Sequence, residues 1–396
     1  MSARAAILVA AILASPLPAF AGSSVPAAES SAAPLQAIPV DLRVPFAPVP
    51  VAAEGRRHLV YELHLTNMAA APLELERLEV LDPSGAVVAA YEGEALKGVL
   101  ARPGTPGLPD VRAIGGGLSA VAFIDVIAPA TGAPPAALTH RLMFRPVTPA
   151  NAPSAQSRVD GGRVVVSRER PPLLGPPLRG GGWVASHALS NDSVHRRSLI
   201  TVEGAARISQ RFAIDWTRIG PDGQVFRGDP ADNAHWTPWN AQVLAVAGGV
   251  VVERADGVPE NDPTADAKAV PITVDNATGD HLVIDIGGGL YVTYAHLRPG
   301  SLRVALGQKV RRGQVIAALG NSGKSDAPHL HLQLTDGPAP LASEGLPLVF
   351  ERFGLQGHLP SLKVLADGTG WRASEPVQER RGETPVLNAV AAFPER

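Results

Sequence analysis

The run APHLHLQLTD (residues 327–336) sets His329 and His331 two positions apart in an apolar stretch. If the stretch is a strand, alternation puts both imidazoles on one face and Leu330 and Leu332 on the other. With the leucine face in a core, both rings enter one cleft, which is useful only if the cleft holds something that wants two imidazoles. A third histidine, His296, stands in YVTYAHL (291–297), with Tyr294 two positions before it. Asp215 lies between Ile214 and Trp216 in RFAIDW, where burial without a partner is costly. The chain has no cysteine, so thiol catalysis, disulfides and Cys-ligated metals are excluded, and any metal must be held by His, Asp and Glu.

These residues need rigid elements to place them, and the composition says which kind. Gly 40 and Pro 38 among 396 residues, with 5% aromatics, favour many short strands and turns over long helices. The formal net charge of −2 gives no pointer to nucleic acid. The start MSARAAILVAAILASPLPAFA has a basic residue (Arg4), an apolar run (5–14) and an A-x-A site, and reads as a secretory signal peptide at 1–21. That run is too short to span a bilayer. The expectation is a periplasmic or secreted protein with no transmembrane segment once the signal is cleaved.

A small-residue linker follows at 22–36. Alternating runs such as HLVYELHLTN (58–67), LELERLEVLD (73–82) and SAVAFIDVIA (119–128), broken by turn clusters, predict a β-sandwich of immunoglobulin-like size over 37–168. His58, His64 and His140 read there as ordinary strand histidines. The Pro/Gly-dense stretch RERPPLLGPPLRGGGW (168–183) marks a boundary. Beyond it a second β-domain is expected over 169–372, then a polar tail at 373–396. The fold class is therefore all-β. The polar insertion 257–280 falls between two core strands, where long loops often set specificity.

YVTYAHLRPG, GQKVRRGQVIAALGNSG and APHLHLQL, in that order, resemble the lysostaphin/LytM-type zinc metallopeptidases, which are peptidoglycan endopeptidases with a duplicated-hybrid-motif β-core. The resemblance covers about residues 195–335. It implies a Zn2+ cofactor, a catalytic role for His296, a catalytic role for His329 beside it, and metal ligation by His331 and Asp215. Peptidoglycan or another peptide is the implied substrate. Tyr294, expected on the face of His296, is a candidate substrate contact.

One ligand departs from the family pattern. Four residues before Asp215, where the family has histidine, stands Arg211, which carries no lone pair for a metal. Either the site is dead or a histidine arrives from elsewhere. His195, in SVHRRSLITVEGAARISQRFAIDW, is the best candidate: a hairpin turning near Gly204 brings it opposite residues 213–215. His187 and His235 are rivals with no strand to register them. His195, Asp215 and His331 would then form the three-ligand site with one open position that suits catalytic zinc. The alternatives are a degenerate relative that binds cell wall or activates an amidase, and a lipoyl-type carrier using Lys324.

Overall fold

The computed structural model describes residues 39–105, 107–147, 156–367 and 371–395. The signal segment 1–21 and the linker 22–36 lie outside the described residues. The described residues fall in one compact unit. Its longer elements are strands, and among the described residues the α-helices are two short ones, Gly93–Val99 and Lys363–Asp367. Among these residues no helix is long and apolar enough to cross a membrane.

Two sheets pack face to face in the amino-terminal half, one centred on Arg56–Asn67 and Ser119–Pro129, the other on Leu73–Leu81 and Ala137–Pro146. The cause is strand alternation. Leu59, Tyr61, Leu63 and Leu65 point inward from one sheet with Ala120, Ala122, Ile124 and Val126, and meet Leu75, Leu78, Val80, Leu142 and Phe144 of the other. Each fully buried leucine or isoleucine contributes about 1.5–3 kcal/mol of apolar transfer.

The second half is built on one long antiparallel sheet. Its middle runs Asp280–Gly287, Leu290–Leu297, Leu330–Thr335, Ile214–Arg218, Gly180–Ser186 and Ala389–Phe393. Tyr294, Leu330, Leu332, Ile214 and Trp216 face a separate core with Val243, Ile316 and Phe350. The short strands Gln242–Leu244 and Val315–Ala318 fold back as a small second sheet over that core. The stretch expected as a polar tail instead supplies Ala389–Phe393, which pairs with both Gly180–Ser186 and Phe353–His358. Ala389 and Ala391 are fully buried, so the apolar run AVAAF outweighs the polar residues before it.

Candidate metal centre

The site is assembled by strand register. Asp215 pairs with His331 across two antiparallel strands, and Ala295 pairs with His331 from the other side. Directly opposed residues share a face, so the imidazole of His331 lies beside the carboxylate. Its Nδ1 is 2.8 Å from Asp215 Oδ1.

His296 joins this face through a bulge. Asp280 pairs with Leu297 and Leu282 with Tyr294, so one residue of the neighbouring strand opposes both Ala295 and His296. The extra residue is accommodated by His296 itself, at φ 60. The bulge breaks the expected alternation: Tyr294 and Leu297 face the core, while His296 faces the site. Tyr294 is therefore corrected as a substrate contact. It is fully buried, and its hydroxyl accepts the Val246 N–H at 2.8 Å.

His195 arrives by a different route from the expected hairpin. That hairpin is only three pairs long, Ile200–Val202 against Ala205–Arg207, and its register stops well short of residue 195. Turns at 193–198 and 208–213 carry the chain back instead. The result is still a close approach, with His195 Nε2 3.2 Å from Asp215 Oδ2. Ligand atoms of His195, Asp215 and His331 all lie within 4.8 Å of one another, and all three residues are buried. His329 Nε2 is 3.5 Å from Asp215 Oδ1. The His329 and His296 rings are 4.7 Å apart.

The two rivals of His195 and the displaced arginine sit elsewhere. His187 is half-buried, 5.3 Å ring to ring from His195, and stays out of the three-residue set. His235 is exposed and accepts the Asp229 N–H through Nδ1. Arg211 turns away from the cluster to Glu62 and Glu344.

Each of the four rings at the cluster is held from behind by an oxygen acceptor. His195 Nδ1 donates to the Ala213 carbonyl at 3.4 Å, His296 Nδ1 to that of Ser322 at 2.8 Å, and His329 Nδ1 to that of Ala327 at 2.8 Å. His331 Nε2 donates to Gln333 Oε1 at 2.9 Å, and the Gln333 amide is oriented by its own donation to the Pro340 carbonyl at 2.7 Å. A neutral imidazole has one N–H. Once it is spent on the outer oxygen, the inward nitrogens of His195 and His331 present lone pairs to the oxygens of Asp215. Lone pair against carboxylate is repulsive unless a proton or a cation lies between, so this donor set fits a divalent ion. Outer N–H donation of this kind fixes the tautomer of metal-binding histidines generally.

Charge separates the groups further. Burial works to raise the Asp215 pKa, but attraction from His195 and His329 outweighs it and holds the carboxyl well below its usual range. Burial, with repulsion from His329 and His331, pushes His296 well below the usual imidazole value. Burial acts to lower His329 too, yet the Asp215 charge raises it overall.

Three further residues support the site without an obvious sequence signal for all of them. Gln333 was legible in principle, since His329, His331 and Gln333 alternate on one face. Ser322 contributes only a backbone carbonyl. Asn261, in the polar insertion, is 2% exposed, and its side-chain amide donates to the carbonyls of Asn321, Gly323 and Ser325. The insertion thus ties down the loop behind His296 and His329. Within that loop the Ser325 hydroxyl donates to Asn321 Oδ1 at 2.6 Å.

The resemblance drawn from the three sequence blocks stands. Residues 236–342 match the model of peptidase family M23. Over 192 residues the chain is 43% identical to the peptidoglycan DD-endopeptidase ShyA of Vibrio cholerae, a match that takes in 45% of this chain. The chain spans 40% of that relative's length. Among solved structures, the catalytic domain of lysostaphin from Staphylococcus simulans matches with 17% identity and a TM-score of 0.23, covering 42% of this chain and 88% of that one. A zinc-containing peptidase from Vibrio cholerae matches with 14% identity and a TM-score of 0.22, covering 77% of this chain and 83% of that one.

Proposed function

We propose that this protein is an exported zinc metalloendopeptidase that hydrolyses peptide bonds in peptidoglycan. The observation that carries the reading is the set of outward-anchored imidazoles around one buried carboxylate, with His195, Asp215 and His331 close enough to share an ion. The M23 match and the name of the 43% identical relative support the reaction class and substrate.

In this reading His195 Nε2, one Asp215 oxygen and His331 Nδ1 hold the metal. Zinc in such a site supplies a Lewis acid that polarises a carbonyl and lowers the pKa of water to about 7. The chain's own residues do the rest. His296 and His329 stand beside the three ligands with their Nδ1 atoms committed to Ser322 and Ala327, which leaves their Nε2 atoms, that of His329 3.5 Å from Asp215 Oδ1, as the ones that would exchange protons. Hydrolysis needs one proton taken from the attacking water and one given to the leaving amine, and two rings flanking the ligands cover both movements. The signal-like composition of residues 1–21 supports export, and the two separate hydrophobic cores support a division into an amino-terminal β-region and a catalytic one.

The test is direct. Purified protein is incubated with purified peptidoglycan, and released amino groups and fragments are analysed with and without a chelator. The reading requires new amino termini that vanish on chelation and return with zinc. Folded protein that takes up no zinc, binds the wall and cuts nothing would instead favour the degenerate alternative, which Arg211 at the usual ligand position motivates.

A further inference from the structure

His331 and Asp215 are fixed by a strand ladder, but His195 is not. It sits in a turn-rich segment, 187–213, whose regular structure is one three-pair hairpin. A ligand on such a segment needs another restraint. The contacts of the residues beside it show where that restraint comes from.

Glu62 lies in the Arg56–Asn67 strand of the amino-terminal sandwich, on the face opposite Tyr61 and Leu63. An outward carboxylate on a sheet is ordinarily in solvent, yet Glu62 is 2% exposed. It accepts from Arg196 Nη1, and from Arg211 through Nε at 3.1 and 3.2 Å and Nη2 at 2.8 Å. Arg196 is the residue after His195 and is 1% exposed, and its Nη2 also donates to the Tyr61 carbonyl at 2.8 Å. Arg211 is four residues before Asp215. It reaches Glu344 as well, and donates to the Gly345 carbonyl at 2.9 Å.

Apolar contacts follow the same seam. Ile208 packs with Val121 and Phe123 of the sandwich, and Phe212 clusters with Val60 and Val349. The Arg196 guanidinium lies 5.0 Å from the Phe123 ring centroid, and that of Arg211 4.7 Å from Phe46. Gly345 has to be glycine for this packing: a Cβ there would meet the Ser209 carbonyl oxygen at 2.5 Å.

We propose that Glu62 is a positioning residue for the metal centre: through Arg196 and Arg211 it fixes the two ends of the segment that delivers His195 and leads into Asp215. The proposal rests on the zinc-site reading above. It gives the amino-terminal sandwich a part in the site, and it gives Arg211 a role in place of the missing ligand. A single carboxylate between two guanidiniums is a directional anchor, and buried ion pairs of this kind are best attested as devices that specify one arrangement.

The experiment is a double-mutant cycle on zinc affinity, read by competition with a chromophoric chelator, using the whole chain. Glu62→Gln keeps the shape and loses the charge. It is expected to weaken zinc about 10–100-fold, the range for partners of metal ligands. In a His195→Ala background the same change should alter zinc affinity by less than about twofold, because its effect passes through His195. Arg196→Lys, which preserves charge but loses the fork, should weaken zinc in the same direction and decides the matter if Glu62→Gln fails to fold. The visible spectrum of the cobalt-substituted Glu62→Gln protein should move toward that of His195→Ala. Undiminished zinc affinity in folded Glu62→Gln and Arg196→Lys, or an undiminished Glu62→Gln effect without His195, overturns the proposal and leaves the zinc site standing. A wild-type chain that takes up no zinc in the same titration overturns both.

Discussion

The histidines of the amino-terminal sandwich and those around Asp215 are the same side chain put to opposite uses. His140 is fully buried, donates through Nδ1 to the Gly162 carbonyl at 3.0 Å, and accepts the Tyr61 hydroxyl through Nε2 at 2.8 Å. One donor and one acceptor satisfy a neutral ring completely. His58 has a carboxylate of its own, Asp125, at 2.8 Å. At the second site, His195, His329 and His331 converge on one carboxylate, and each has an oxygen behind it as well. Acceptors on both sides of a ring leave a demand for positive charge that the protein does not meet by itself. Pairing state, more than burial or strand position, separates a packed histidine from a site histidine.

Four changes sharpen or break this contrast. The largest effect is expected at His331. His331→Ala should weaken zinc by more than about 100-fold, beyond the range for outer partners, as measured by mass spectrometry of the metal after dialysis. His296→Ala should retain a full complement of zinc while hydrolysis of purified cell wall falls about 10²–10⁴-fold, the usual contribution of a positioned acid or base. Equal metal loss in the two variants would erase the distinction drawn between ligand and flanking ring. Gln333→Leu removes the acceptor behind His331, and should weaken zinc about 10–100-fold in the same assay.

The smallest effect at the site belongs to His140, where it should be nil. Burial lowers this imidazole to about 4. The unfolded ring, at about 6.5, binds its proton first as pH falls, so stability is lost between about pH 6.5 and 4 and regained as pH rises. The shift corresponds to about 3 kcal/mol. His140→Gln should flatten thermal stability against pH across that window and leave zinc affinity unchanged. A profile as steep as that of the wild type would place the acid sensitivity elsewhere.

Much of this was legible in the sequence. Alternation in HLVYELHLTN and SAVAFIDVIA predicts inward Leu59, Leu63, Ala122 and Ile124, which the sandwich core contains. The H-x-H strand lies beside Asp215 as its spacing and the resemblance together implied. Alternation failed at Tyr294, because a bulge changes the facing of every later residue and no residue type in YVTYAHL announces one. It could not foretell Glu62 either, since a strand pattern shows which residues point outward but not what covers that face. His195 was reachable by elimination, although the path of its segment depends on contacts with residues more than a hundred positions away. The final strand was missed because a five-residue apolar run near a chain end is too short to stand out against the polar residues around it.

The central claim is that His195 completes a zinc site with Asp215 and His331. A crystal structure of the zinc-loaded chain, with anomalous data collected at the zinc edge, tests it most directly. The account predicts one anomalous peak per chain, with a His195 nitrogen and a His331 nitrogen at about 2.0–2.1 Å and an Asp215 oxygen at about 2.0–2.2 Å. A peak held by Asp215 and His331 with His187 in place of His195, or no peak among these residues, would contradict it.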